Sequence, residues 1–217
     1  FPLFDGEKIT IVLPVKEFDE SHFVFMATAM GTVKKTPLSD FSNPRKAGII
    51  AADLDEGDHL IGVSITDGNH SVMLFSDAGK AVRFHEEDVR PLSRTARGVR
   101  GRWLDEGQRA TSTPAAADES QSVPTATEKG FGKRTPIAEY TQHGRGTKGM
   151  IAIQTSDRNG KLIGAVLVNE GDQVMLISTG GVLIRTQVSQ IREMGRSTQG
   201  VTLISLDDGT KLAGLEK

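Results

Sequence analysis

The chain of 217 residues contains no cysteine. That excludes a disulfide framework, an iron–sulfur cluster, a thiolate zinc site and a cysteine nucleophile. No apolar run approaches the roughly 20 residues that span a bilayer. Phe1-Pro2-Leu3-Phe4-Asp5 carries no basic segment ahead of an apolar stretch, so no signal peptide is expected. The expectation is a soluble, cytoplasmic protein with no membrane partner. Aromatics are scarce, and Trp103 and Tyr140 read as packing residues rather than a base-stacking platform. His22, His59, His70, His85 and His143 are scattered, with no pair at ligand spacing. No nucleophile–base arrangement is found. His143-Gly-Arg-Gly-Thr-Lys-Gly149 misses the phosphate-loop spacing, because Gly149 stands where Ser or Thr belongs. Glu86-Glu87-Asp88 reads as a solvated turn; a metal-binding triad there is disfavoured, because adjacent residues on an extended chain point apart. Asn69-His70-Ser71 fits a glycosylation sequon, but nothing else points to secretion. The expectation is therefore no catalytic, cofactor-binding or metal site.

Glycine is what the chain has in excess, 24 residues, and it marks a repeat. Val24-Phe-Met-Ala-Thr-Ala-Met-Gly31, Val72-Met-Leu-Phe-Ser-Asp-Ala-Gly79, Val123-Pro-Thr-Ala-Thr-Glu-Lys-Gly130 and Val174-Met-Leu-Ile-Ser-Thr-Gly-Gly181 align without gaps, their glycines 48, 51 and 51 residues apart. Four residues after each comes a cation: Lys35, Arg83, Arg134, Arg185. Further on stands a second glycine with an apolar residue behind it: Gly48-Ile49, Gly98-Val99, Gly149-Met150, Gly200-Val201. Apolar runs of strand length joined by glycine turns predict an all-β chain. About four units of ~50 residues, each of four strands, have the size of propeller blades. We anchor them near 24–66, 72–115, 123–168 and 174–215, with 1–23 as the remnant of a preceding repeat. Thr113-Pro-Ala115 and Pro124 interrupt the strand pattern, so 110–129 is expected to be irregular.

The net charge of −2 hides a polarised distribution. The four stretches from first to second glycine, 31–48, 79–98, 130–149 and 181–200, hold 16 basic and 6 acidic residues. They carry +10, and the remaining 139 residues carry −12. A cation at a recurrent position becomes a stripe once units stack. The stripe would include Lys34, Lys35, Arg45, Lys46, Arg83, Arg94, Arg97, Lys133, Arg134, Arg145, Lys148, Arg185 and Arg196, with Arg100 and Arg102 extending it. Such a stripe suits the regularly spaced phosphates of duplex DNA and ignores base sequence.

The repeats Val24-Phe-Met-Ala-Thr-Ala-Met-Gly-Thr-Val-Lys-Lys35 and Val72-Met-Leu-Phe-Ser-Asp-Ala-Gly-Lys-Ala-Val-Arg83 resemble the C-terminal domain of bacterial DNA gyrase A proteins. So do Thr95-Ala-Arg-Gly-Val-Arg-Gly101, Gly130-Phe-Gly-Lys-Arg-Thr135 and Gly195-Arg-Ser-Thr-Gln-Gly-Val201. The resemblance implies a single β-pinwheel, a propeller-like array whose blades exchange strands. It implies a non-catalytic domain that binds and bends double-stranded DNA around a basic rim. Its partners would be the rest of the gyrase A protein and the gyrase B protein in an A2B2 holoenzyme. Cleavage and ATP hydrolysis would lie outside this chain, which would need no cofactor. The family's Gln-Arg-Arg-Gly-Gly-Lys-Gly box is not found. Arg94-Thr-Ala-Arg-Gly-Val-Arg-Gly101 and Gly144-Arg-Gly-Thr-Lys-Gly149 are loosely similar. The alternatives are the corresponding domain of a topoisomerase IV and a propeller that binds protein.

Overall fold

The computed structural model describes residues 3–217; of the opening remnant, residues 1 and 2 lie outside the described residues. Sixteen short strands and four 3-10 turns follow one another, with no α-helix among the described residues. Residues 3–22 contain no strand.

Each repeat opens with a hairpin across its first glycine. The hairpins are β1 (Phe23–Thr28) with β2 (Thr32–Pro37), β4 (Ser71–Ser76) with β5 (Lys80–His85), β9 (Ser122–Thr127) with β10 (Phe131–Pro136), and β13 (Gln173–Ser178) with β14 (Leu183–Gln187). Gly79 adopts φ +77°, the left-handed conformation that a tight hairpin needs and L side chains resist. A 3-10 turn and a basic loop follow, and in the last three repeats a two-residue strand. The chain then returns to lay an inner strand on the first strand of the hairpin. These inner strands are β3 (Leu60–Thr66), the split pair β7 (Ala110–Ser112) and β8 (Ala115–Ala116), β12 (Leu162–Ala165) and β16 (Leu212–Glu216).

The two-residue strands leave their own repeat. β6 (Val99–Arg100), β11 (Met150–Ile151) and β15 (Val201–Thr202) pair with β2, β5 and β10 of the repeat before. The result is four small sheets, ordered from the inner strand to the borrowed outer one, with the fourth sheet ending at β14. The inner strands of all four line a common cleft. Borrowed strands and basic loops lie on the outside.

Both faces of a middle blade are buried, and the period of two along a strand divides the core between neighbours. Met73 and Phe75 pack with Ile137, Tyr140 and Ile153 toward the third blade, while Val72 and Leu74 pack with Phe25, Val33 and Phe84 toward the first. A third cluster joins the last two blades through Val174, Leu176, Val188 and Ile204. All six residues of β4 are buried as a result.

The stretch 110–129 differs from expectation. It supplies β7, β8 and the wholly buried β9, with Pro124 in the middle of that strand. Pro114 splits the inner strand of the second blade into β7 and β8, and β12 stops at Ala165 beside Pro124, but both prolines still accept across the sheet. In the second blade the Met73 N–H donates to the Pro114 carbonyl; in the third, the Val166 N–H donates to the Pro124 carbonyl. Proline keeps its acceptor even though it lacks a donor. Ser112, standing where the other repeats have glycine, accepts the Ala165 N–H on its Oγ at 3.0 Å and so links two blades.

Candidate nucleic-acid interface

The fifteen candidate cations fall into two groups. In the first, the side chain is turned inward. Lys34, Lys35, Arg83, Arg102 and Lys133 are buried, and the Arg134 side chain is only 12% exposed. An exposed stripe at these positions is not what the structure contains, and the reason is physical. Each head group sits on main-chain carbonyls, at least one of them in the following blade. Lys35 Nζ donates to the Glu86 carbonyl at 3.0 Å. Arg83 donates to the carbonyls of Ile137 and Tyr140 at 3.1 and 3.0 Å, to Ser71 Oγ, and to the Glu119 carboxylate. Arg134 donates to the Ile191 carbonyl at 2.8 Å and to Glu170. In all three, the cation four residues after the glycine reaches the 3-10 turn of the following blade. The Glu86 and Ile137 carbonyls also accept the closing N–H of their own turns, from Val89 and Tyr140, so the cation adds a second, charged donor to each oxygen.

The other inward cations follow the same logic. Lys34 Nζ donates to the Ala51 and Arg94 carbonyls. Lys133 Nζ donates to the carbonyls of Gly195, Arg196 and Thr198 and to the Thr198 hydroxyl. Burial pushes the pKa of both lysines down to about 8, and that of Arg102 down to about 10. Arg102 donates to the carbonyls of Trp103, Leu74, Lys80 and Lys148. None of these groups reaches a phosphate without abandoning its carbonyls.

The second group lies on the outer loops. Arg45, Lys46, Arg97, Arg100, Arg145, Lys148 and Arg185 are exposed, while Arg94 and Arg196 are half-buried. Here a different regularity appears. Arg94 donates to the Ile50 carbonyl, Arg145 to the Arg100 carbonyl and Arg196 to the Ile151 carbonyl, at 2.8, 3.0 and 2.8 Å. In each case the arginine of one loop grips the two-residue segment of the loop before it. Backbone bonds continue the stacking: Asp53 N–H to the Ala96 carbonyl, Trp103 N–H to Thr147, Gln154 N–H to Thr198. The loops 42–53, 90–103, 141–154 and 192–199 therefore form one continuous band around the outside.

The charges on this band are held loosely. Arg97 pairs with Asp53 and Asp55, which raise its pKa, and Lys148 pairs with Asp105 at 3.1 Å. Both pairs are exposed and screened by solvent, so they are weak and a phosphate can replace the acid. Arg100 lies 3.6 Å above the ring of Trp103, a residue half exposed to solvent. The band also includes Arg90 and Arg192, both exposed, which the sequence reading missed. Each lies within two residues of the end of a 3-10 turn. The signal for them was their shared register, each eleven residues after the first glycine of its repeat.

The architecture defines the class: a strand-exchanging, propeller-like β-pinwheel with a basic outer rim. The family model described as DNA gyrase C-terminal domain, beta-propeller matches residues 22–67, 70–112, 125–169 and 172–217, and the chain belongs to this family. It is 54% identical over 195 residues to the A subunit of DNA gyrase from Pseudomonas aeruginosa, covering 90% of this chain and 21% of that protein. It is 48% identical over 216 residues to the Escherichia coli K12 protein of the same name, covering 100% of this chain and 25% of that one. The chain thus spans about a quarter of the length of these relatives. Among solved structures, a DNA gyrase A C-terminal domain superposes with a TM-score of 0.88 at 26% identity, covering 98% of this chain and 71% of that one. The C-terminal domain of a DNA topoisomerase IV shares the fold, with a TM-score of 0.92 at 23% identity over 99% of this chain and 67% of that one.

Proposed function

We propose that this chain binds duplex DNA along its outer band, without regard to base sequence, and bends it as part of a gyrase A protein. The observation that carries the reading is the stacking of four cation-bearing loops into one band. Lys46, Arg97, Arg100, Arg145 and Lys148 point outward from it. Phosphates follow one another along DNA as these loops follow one another around the rim, and a backbone contact of this kind needs no base-reading group. Identities of 48–54% to DNA gyrase A proteins favour gyrase over topoisomerase IV. In this reading the chain acts within an A2B2 holoenzyme in the bacterial cytoplasm and supports ATP-driven negative supercoiling. Strand cleavage and ATP hydrolysis take place outside it. Without the Gln-Arg-Arg-Gly-Gly-Lys-Gly box it binds DNA but wraps it poorly.

The test is the affinity for a random-sequence linear duplex, titrated in salt. The slope of log K against log salt should reach several units, since each engaged phosphate contributes about 0.9. Replacing Lys46, Arg97 and Lys148 together by alanine should lower that slope by about 2–3 units and leave the melting temperature unchanged. Binding that is flat in salt, or unaffected by the triple variant, would sink the proposal. It would favour a rim that serves a protein partner.

A further inference from the structure

The second blade contains a group that neither the fold nor the rim explains. Glu86, expected in a solvated turn, is fully buried, and among the described residues neither of its carboxylate oxygens takes a hydrogen bond. The other three blades provide an internal control. Glu86 opens a 3-10 turn, and the residues opening the equivalent turns are Leu38, Ile137 and Val188, all buried aliphatics. The backbone register is the same. The Leu38 N–H donates to the His22 carbonyl, Glu86 to His70, Ile137 to Gln121 and Val188 to Asp172, at 2.9–3.1 Å. One blade in four has therefore placed a carboxylate where the fold wants a hydrocarbon. An unpaired carboxylate in such a place costs several kcal/mol.

The group above it supplies the reason. Asp67 and His70 flank the turn that enters β4, with His70 Nδ1 2.9 Å from Asp67 Oδ1. The Glu86 carboxylate lies beneath that turn, and one donor atom from each of Asp67, His70 and Glu86 falls within 4.8 Å of the others. The first blade repeats the Asp–His turn, with His22 Nδ1 2.9 Å from Asp19 Oδ1, but over Leu38. The Asp–His pair is thus turn architecture in both blades, and Glu86 is the addition that makes a three-donor set. Lys35 donates to the Glu86 carbonyl at 3.0 Å and, among the described residues, makes no ion pair with the carboxylate.

The geometry points to a divalent cation site formed by Asp67, His70 and Glu86. Two carboxylates and an imidazole suit a first-row transition ion such as Zn²⁺ or Mn²⁺, and the imidazole disfavours Mg²⁺. Donors about 2.1 Å from a common ion lie about 3 Å apart, as Asp67 and His70 already do. The ion displaces the His70 Nδ1 proton to solvent and compensates the Glu86 charge. Asp67 follows directly on β3 of the first blade, and Glu86 follows β5 of the second. The ion therefore fastens the joint between these two blades. This inference is independent of DNA binding.

The test uses the 217-residue chain stripped with EDTA and titrated with Zn²⁺ by calorimetry, with Mg²⁺ as the control. One equivalent of Zn²⁺ should bind, and the melting temperature should rise by several degrees. Glu86→Leu installs the side chain the first blade already uses, so the variant should fold. It should lose that equivalent and melt no lower than the metal-free wild type. In NMR, substoichiometric Mn²⁺ should broaden the His70 ring signals of the wild type before those of His22, the matched histidine over Leu38. No Zn²⁺ uptake by the wild type overturns the assignment. So does equal uptake by Glu86→Leu, or equal broadening of His22 and His70.

Discussion

Arg83 and Arg185 stand at the same point of two equivalent hairpins, each opposite a methionine: Met73 in the second blade, Met175 in the fourth. One is 4% exposed and satisfied by four partners, and the other is open to solvent. The difference is made by neighbours. A third blade covers the second, and β11 pairs with the outer edge of β5. Among the described residues, β14 has no such strand, and its burial alternates between exposed and half-buried. Likewise β4 is buried throughout, whereas β13 is fully buried only at every second residue. The recurrent cation is therefore a clasp for the next blade, and it faces solvent in the fourth blade, which no described blade covers.

The largest test of that comparison removes the clasp. Arg83→Ala leaves the Tyr140 carbonyl without its donor inside the core and strips the Ile137 carbonyl to the Tyr140 N–H alone. A buried unsatisfied group costs about 1–3 kcal/mol, so the loss should be about 2–3 kcal/mol in urea denaturation. Arg185→Ala, at a surface position, should stay within about 0.5 kcal/mol. Equal losses would break the comparison and return Arg83 to the role of an ordinary surface cation.

Lys133 sharpens it by titration. Burial holds its pKa at about 8, against an ordinary value of 10.5. Below pH 8 both folded and unfolded chains carry the proton, and the folded state bears the whole cost of burying the charge. Between pH 8 and 10.5 the unfolded chain still holds a proton that the folded chain has released, so stability rises with pH. Lys34 shares this window, so the useful quantity is the wild type minus Lys133→Met. That difference should move in favour of the wild type as pH rises through the window, by about 1.4 kcal/mol for each unit by which the pKa is displaced. A flat difference would mean that the carbonyls of Gly195, Arg196 and Thr198 offset the burial.

These residues also mark what could be read in the sequence. The glycine registers revealed the blades, because a positive φ or a close approach admits little else. The burial of the cations was harder to see, since composition cannot separate a solvated cation from one seated on carbonyls. One signal was present. The position of Lys34 and Lys133 is held by Val82 and Ile184 in the other repeats, and a site that alternates between Lys and an aliphatic is an interior site. The same comparison of Leu38, Glu86, Ile137 and Val188 singles out Glu86. The order of 110–129 was not legible. It depends on which partner atom each proline faces, and that is decided by the strands on either side.

The smallest expected effect concerns the borrowed strands. Gly48 and Gly200 precede equivalent two-residue segments and share a left-handed backbone, with φ of +81° and +78°. Their surroundings differ. A Cβ on Gly200 would lie 2.6 Å from the Gly132 carbonyl oxygen on β10, whereas one on Gly48 would meet nothing within 4 Å among the described residues. Alanine at either position carries the left-handed penalty of about 1–2 kcal/mol. Only Gly200→Ala must also push β15 away from β10. It should therefore be less stable than Gly48→Ala by about 1 kcal/mol further, read as a lower melting temperature. If the two variants melt together, the seat of the borrowed strand is not tight. The glycine would then be required by its backbone conformation alone, in a covered blade and an uncovered one alike.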